Sequence, residues 1–401
     1  MTGSELQILV LDDEKRARRK YKELLEDHLP CRTRVTALDE AELKALLAGL
    51  ERRKKSWREG DARPSAKIAL DDIDVLLLDF DLLRILDFAN GENLAYLVRC
   101  FSDCGIILGL NQYGENRFDL SLKGHPESWA DLNIGWRQLV NPGLWGGQAK
   151  GFRPSHWPNL PAYMGSLPQR VEDARTGIDE PIWKVVGIPD DVMRFLPRTA
   201  GQFLGKDPME VTFRQFVTSS PYPSGLMAKD AKPRRGHPAL PDDAIARIGA
   251  ARVSKWLERL VLPGQDILVD APHLAARFPS LLEGGPAKVA SWQKTARLLS
   301  HKEVGIRWRR IERHRLKKTH WVSRPVWFWR TLSADESIEE VKEPWSRKGP
   351  DLVFCEDASA FYKRTDCREF VADTESPYAR RFVRVFRDDG VEYEPRCRFS
   401  R

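Results

Sequence analysis

Two adjacent aspartates, Asp12 and Asp13, close the apolar run LQILVLD near the start of the chain, and a third, Asp79, closes the run DVLLLD further on. Carboxylates set side by side repel one another and stay charged only where water or a cation shields them. If the strands that carry them are neighbours, all three converge and suit a hard divalent cation, which prefers oxygen ligands and keeps several waters. Mg²⁺ is the ion this donor set predicts. A plainer reading stays open, in which Asp12 and Asp13 cap the helix that follows through its N-terminal dipole.

The elements that must position these groups can be read from the pattern around them. LQILVLD, residues 6–12, is a short continuous apolar run of the kind that forms a buried parallel strand, and EKRARRKYKELLEDHL follows it as a helix. TRVTALD, residues 33–39, predicts a second strand and EAELKALLAGLERRKK a second helix. KSWREGDARPSA, residues 55–66, has the polar, Gly- and Pro-containing composition of an inserted loop. DDIDVLLLDFDLL supplies a third strand, GENLAYLVRCFSDC a third helix and GIILGLNQYG a fourth strand ending near Asn111. This alternation predicts an α/β domain with a flavodoxin-like, doubly wound parallel sheet. In that order strands one and three are adjacent, and functional groups gather outside the carboxyl ends of the strands.

The segments LVLDDE, VLLLDFDLL and GENLAYLVR resemble the phosphoacceptor receiver domain of bacterial response regulators, over residues 5 to about 140. The resemblance implies that Asp79 accepts a phosphoryl group from a histidine kinase or a small phosphodonor. It also implies that Asp13, Asp79 and the main-chain carbonyl of Asp81 hold Mg²⁺, with Asp12 assisting. The chemistry would be in-line phosphoryl transfer, in which positioning and charge neutralisation supply most of the catalysis. The family carries Ser or Thr at the end of strand four, where this chain has Asn111 preceded by Gly109. The family's lysine follows strand five and precedes Pro, whereas the nearest candidate here is Lys123, followed by Gly124. These departures leave a second reading, a pseudo-receiver scaffold that works without phosphorylation. The whole arrangement, including NQYGENRFDLSLKGHPESWADLNIGWRQLVNPGLW and GFRPSHWPNLP, resembles a divergent response-receiver family, associated with bacterial signalling or conflict systems, attached to a long C-terminal region.

Residues 141–225 are rich in Pro, Gly and Trp without a sustained period, which predicts a segment wrapped over the first domain. His125 and His156 lack close partners in sequence and read as structural. Residues 217–243 have linker composition and carry Lys229, Lys232, Arg234 and Arg235. Residues 226–401 then predict an α+β domain of unknown output. PDDAIARIGAARVSKWLERLVLPG predicts a helix with Arg247, Arg252, Lys255 and Arg259 on its exposed face. IRWRRIERHRLKKTHWVSRPVWFWR, residues 306–330, interleaves Trp with cations in a way that suits stacking and phosphate contact. Arg307, Arg309, Arg310, Arg313, Lys317 and Lys318 are its nucleic-acid candidates, as in an effector of a bacterial defence system. The competing reading puts Trp308, Trp321, Trp327 and Trp329 in a core with the charges outside. RRFVRVFRDDGVEYEPRCRFS predicts a terminal β-hairpin turning at Asp388, Asp389 and Gly390.

Composition bounds these readings. With 401 residues, 42% hydrophobic and 31% charged, the chain can bury two or three cores. A net charge of +7 permits a nucleic-acid partner without requiring one. Six cysteines without C-x-x-C spacing argue against a disulfide framework or zinc ribbon and for a reducing, cytoplasmic setting. The sequence has neither a leader pattern nor an apolar run of bilayer length, so no membrane partner is expected. No Gly-rich phosphate loop, H-E-x-x-H or G-x-S-x-G motif points to an NTPase, metalloprotease or serine hydrolase.

Overall fold

Alternation along the apolar runs decides which residues face which helices, and the computed structural model follows it. It describes residues 5–29, 32–59, 67–79, 82, 91–110, 128–134, 139, 142–145, 160–219, 240–278, 281, 311–338, 352–355, 360–371, 380–383, 387–388 and 391–392. Strands β1 (Leu6–Leu11), β2 (Thr33–Ala37), β3 (Val75–Asp79), β4 (Ile106–Leu110) and β5 (Leu132–Ile134) form one five-stranded parallel sheet in the order β2-β1-β3-β4-β5. This is the flavodoxin-like order. Successive side chains leave a strand on opposite faces. Ile8, Val10, Val75, Leu77, Ile106 and Leu108 therefore share one core with Tyr21 and Leu25 of helix α1 (Lys15–His28). Leu9, Leu11, Leu76, Leu78 and Ile107 share the other with helices α2 (Glu40–Arg58) and α3 (Gly91–Phe101). Helix α2 runs to Arg58, so the first part of the expected loop at 55–66 is helical.

The register fixes the strand ends. Leu11 of β1 lies opposite Leu78 of β3, and Asp79 opposite Leu110 of β4. Residues just past β1 and at the end of β3 thus lie level at one edge of the sheet.

Within the expected wrapping segment, Leu144, Leu160 and Tyr163 pack in the core of the sheet, and residues 160–219 form a series of helices. Helix α4 (Pro142–Trp145) precedes α5 (Leu160–Thr176), α6 (Ile182–Val186), α7 (Asp190–Met193), α8 (Arg198–Leu204) and α9 (Phe213–Ser219). Pro181, Pro189 and Pro197 are the N-caps of α6, α7 and α8. At such positions the missing N–H costs no intrahelical bond, so proline punctuates short helices rather than preventing them.

Helix α10 (Asp242–Trp256) begins after Pro241 and continues into a π-helical turn at Leu257–Val261. It packs against α5, α9 and α3, so the cationic face expected in solvent is largely buried: Arg252, Lys255 and Arg259 are all under one-tenth exposed. The Arg252 guanidinium lies 4.9 Å from the Trp129 ring centre and 4.7 Å from that of Phe216, where it gains cation–π attraction. A hydrophobic core that includes Leu9 and Leu76 of the sheet runs on without interruption to Trp256, Trp321 and Phe328.

Further along, β6 (Leu268–Asp270) pairs antiparallel with β7 (Val326–Phe328), flanked by α11 (Ala271–Arg277) and α12 (Trp329–Ser333). Strands β8 (Leu352–Cys355), β9 (Ala360–Lys363), β10 (Arg368–Val371) and β11 (Arg380–Val383) form a sheet in the order β10-β11-β8-β9. β12 (Arg387–Asp388) and β13 (Val391–Glu392) form the expected terminal hairpin. Among the described residues no helix is long and apolar enough to cross a membrane.

Candidate metal centre

At the carboxyl edge of the sheet, ligand oxygens of Asp12, Asp13 and Asp79 lie within 4.8 Å of one another. Asp12 follows β1 directly and Asp79 is the last residue of β3, so the parallel register brings them together. Asp12 and Asp79 are buried and Asp13 is half-buried, which gives the cluster an inner wall and one side closer to solvent.

The two oxygens of Asp12 have different roles. Its Oδ1 accepts the main-chain N–H of Glu14 at 2.7 Å, tying down the turn into α1, while the buried Arg18 donates to the Asp12 carbonyl at 2.6 Å. Its Oδ2 is buried and accepts no hydrogen bond. The turn ahead of α1 therefore accounts for one oxygen of Asp12 and leaves the other to be explained, while the helix's N-cap, Glu14, carries no side-chain capping bond. Burial, with Asp13 and Glu14 adding repulsion against the lowering effect of the Glu14 N–H, pushes the Asp12 carboxyl up to about 6. Tyr21, on the buried face of α1, is also raised, chiefly by burial and then by the charges of Asp12 and Asp79. An all-oxygen set with one unsatisfied buried lone-pair group is the environment a hard cation such as Mg²⁺ fits.

The other residues implied by the resemblance are distributed differently. Asp81, Asn111 and Lys123 lie outside the described residues. Lys123 also precedes β5 in the chain, whereas the resemblance puts its lysine after the fifth strand. Near the end of β4, a Cβ on Gly109 would meet Asn133 Oδ1 on β5, so a side chain there would require the Asn133 amide to turn aside.

A buried polar network next to the sheet had no motif to announce it. Glu92, in the first turn of α3, accepts the Trp129 N–H at 2.8 Å and the Ser128 hydroxyl. Lys255 of α10 donates to the carbonyls of Ser128 and Ala130. Burial pushes the Lys255 ammonium well below its ordinary value, with Arg259 adding repulsion. At the far end of the same helix Arg247 meets Asp103 at 2.9 Å, just past α3. Helix α10 thus lies along α3 in the opposite sense, pinned at both ends.

In the proposed nucleic-acid strip, Arg307, Arg309 and Arg310 lie outside the described residues. Arg313 pairs with Asp335, and Lys317 donates to the Glu312 carbonyl at 2.6 Å. Lys318, His320 and Trp321 all donate to Asp173 Oδ2 on α5, at 3.0, 2.8 and 3.2 Å. Trp321 and Trp327 are fully buried. His125, His156 and the basic run at 229–235 fall outside the described residues.

Comparison with protein-family models, curated proteins and solved structures gives no match for this chain.

Proposed function

We propose that the chain is a response-regulator-like signalling protein whose N-terminal sheet is a receiver, with Asp79 as its phosphoacceptor. The observation that carries this reading is the buried, unsatisfied Asp12 Oδ2 within a cluster that also includes Asp13 and Asp79. Asp12, Asp13 and Asp79, with the main-chain carbonyl of Asp81, would hold Mg²⁺. When bound, the ion neutralises charge on the transferring phosphoryl group and on the carboxylates around it.

The chain's own part is positional. β3 presents the Asp79 carboxylate at the sheet edge. One of its oxygens forms the new O–P bond as the P–N bond of a phosphohistidine, or the P–O bond of an acyl phosphate, breaks in line. The leaving imidazole or carboxylate carries away the bonding electrons. Asp12 is held in place by Glu14 N–H and cannot turn away from the cluster without losing that bond.

The region beyond the sheet has a direct route to this edge. The segment that leads from Asp79 ends at α3, whose Glu92 is tied through Ser128 to Lys255 of α10. A change of charge at Asp79 therefore acts on a helix that the C-terminal region already grips. The position of Lys123 ahead of β5 favours the second reading, a pseudo-receiver that binds Mg²⁺ as a fixed scaffold.

Intact-mass measurement after incubation with acetyl phosphate and Mg²⁺ separates the two. A phosphate-sized gain in the wild type, absent in Asp79→Asn, is the expected result. No gain in a folded wild type that still binds Mg²⁺ would leave the scaffold reading.

A further inference from the structure

Two of the chain's six cysteines meet in the C-terminal sheet, far in sequence from the acidic cluster. Cys355 is the last residue of β8, and Cys367 immediately precedes β10. β11 runs between those strands, with Phe382 opposite Cys355 and Val383 opposite Arg368. The two side chains reach each other on one face of β11, and their sulfurs are 3.0 Å apart. That is closer than an ordinary non-bonded sulfur contact and about 1 Å beyond a disulfide bond of roughly 2.05 Å.

We infer that Cys355 and Cys367 are a redox-active pair that closes to a disulfide when a two-electron oxidant such as a peroxide reaches the C-terminal sheet. Their exposure sets the order of events. Cys367 is half-buried and Cys355 is fully buried, so the oxidant meets Cys367 first. Cys367 gives up its proton, its thiolate attacks a peroxide oxygen, the O–O bond breaks to leave a sulfenic acid and hydroxide, and the hydroxide takes up that proton as one water. The Cys355 sulfur then attacks the Cys367 sulfur, forming S–S and releasing the hydroxyl as a second water. Overall two thiols and one peroxide give one disulfide and two waters.

The remaining described thiols are poor competitors. Cys100 is buried within α3 and Cys104 just past it, and burial pushes both up to about 12, which holds them as unreactive thiols. The effect of closure is local and mechanical. Among the described residues, a small apolar cluster here joins Val353, Cys355 and Phe382, with Tyr362 and Cys367 packed against it. A covalent tie from β8 to the start of β10 would lock β11 between them.

The test uses the full chain, reduced and then titrated with hydrogen peroxide, followed by denaturation, alkylation and peptide mapping by mass spectrometry. The expected result is loss of two hydrogen masses, protection of Cys355 and Cys367 from alkylation, and a linked peptide pair that dithiothreitol separates. In Cys367→Ser, Cys355 is expected to stay alkylatable at peroxide levels that close the wild-type pair. Oxidation of Cys367 to sulfinic acid without a link, or a link from either residue to Cys31 or Cys397, would overturn the proposal.

Discussion

The edge of the parallel sheet and the cation-rich strip at 311–330 both drew attention as chemistry, and they differ in how their charges are met. Along the strip every described candidate has a protein partner: Arg313 has Asp335, Lys317 has Glu312 and Lys318 has Asp173. At the sheet edge three carboxylates come together and the buried Oδ2 of Asp12 accepts no hydrogen bond. Burying a polar atom without a partner costs more than a single hydrogen bond returns. The described candidates of the charge run are thus neutralised from within the protein, whereas the buried Asp12 oxygen beside two other acids is not.

The sharpest way to break this contrast is at Asp79. Asp79→Asn keeps the shape of the side chain and removes its nucleophilic charge, so acyl-phosphate formation is expected to vanish entirely while the fold remains. Retained labelling would move the chemistry away from the sheet edge.

Asp12 comes next. Its carboxyl is raised from 3.8 to about 6, so the folded state holds the proton more tightly than the unfolded chain does. Stability from this group is full below about 3.8 and is lost as pH rises through about 6. Without metal, thermal melts are expected to show a less stable protein at pH 7.5 than at pH 5. Asp12→Asn should remove that slope and raise metal-free stability at pH 7.5 by up to about 3 kcal/mol, taking roughly 1.4 kcal/mol per pH unit. Mg²⁺ should stabilise the wild type above pH 6 and lose affinity as acid protonates Asp12, while the variant binds Mg²⁺ at least about tenfold more weakly because one charged ligand is gone. A flat wild-type profile, unaffected by Mg²⁺, would remove the argument for an ion.

How much of this could be read from the sequence follows the same division. The sheet order and its acidic edge were legible because β1, β3 and β4 are predominantly apolar runs and Asp12 and Asp79 punctuate two of them. The helices of 160–219 were not, since proline and glycine density reads as loop until Pro181, Pro189 and Pro197 are seen to stand at helix starts. Nor was the burial of Arg252, Lys255 and Arg259. A cation spaced like a surface residue is buried only when distant partners, such as the Trp129 ring or the Ser128 carbonyl, come to it. The role of Asp173 had little local signal, because beyond Gln169 one turn earlier its donors Lys318, His320 and Trp321 follow nearly 150 residues later.

Asp173 offers a milder test of the strip. Burial would raise its carboxyl, but hydrogen bonds from His320, Lys318 and Trp321 outweigh burial and hold it below the ordinary range. Stability from this group is present above about 3.9 and lost as pH falls below it. Asp173→Asn leaves Lys318, His320, Trp321 and Gln169 facing a neutral amide and is expected to cost about 1–3 kcal/mol in chemical denaturation at pH 7. A cost indistinguishable from zero would mean that the strip is not anchored there.

Lys317 should give the smallest effect and the cleanest reading of the strip's purpose. Its side chain is about two-thirds exposed, and its ammonium lies 3.8 Å from Glu312 Oε1, a surface contact of the kind that adds little to folding. Lys317→Ala is expected to change stability by less than about 0.5 kcal/mol. Any larger consequence must then come from a partner outside the chain. If the strip tracks a phosphate backbone, the variant weakens binding to a single-stranded oligonucleotide and flattens the dependence of affinity on salt by about one counterion. If the cations serve the fold, neither quantity moves. The ion pairs already made by Arg313 and Lys318 favour the second result, because each contact to phosphate would first have to release a carboxylate inside the protein.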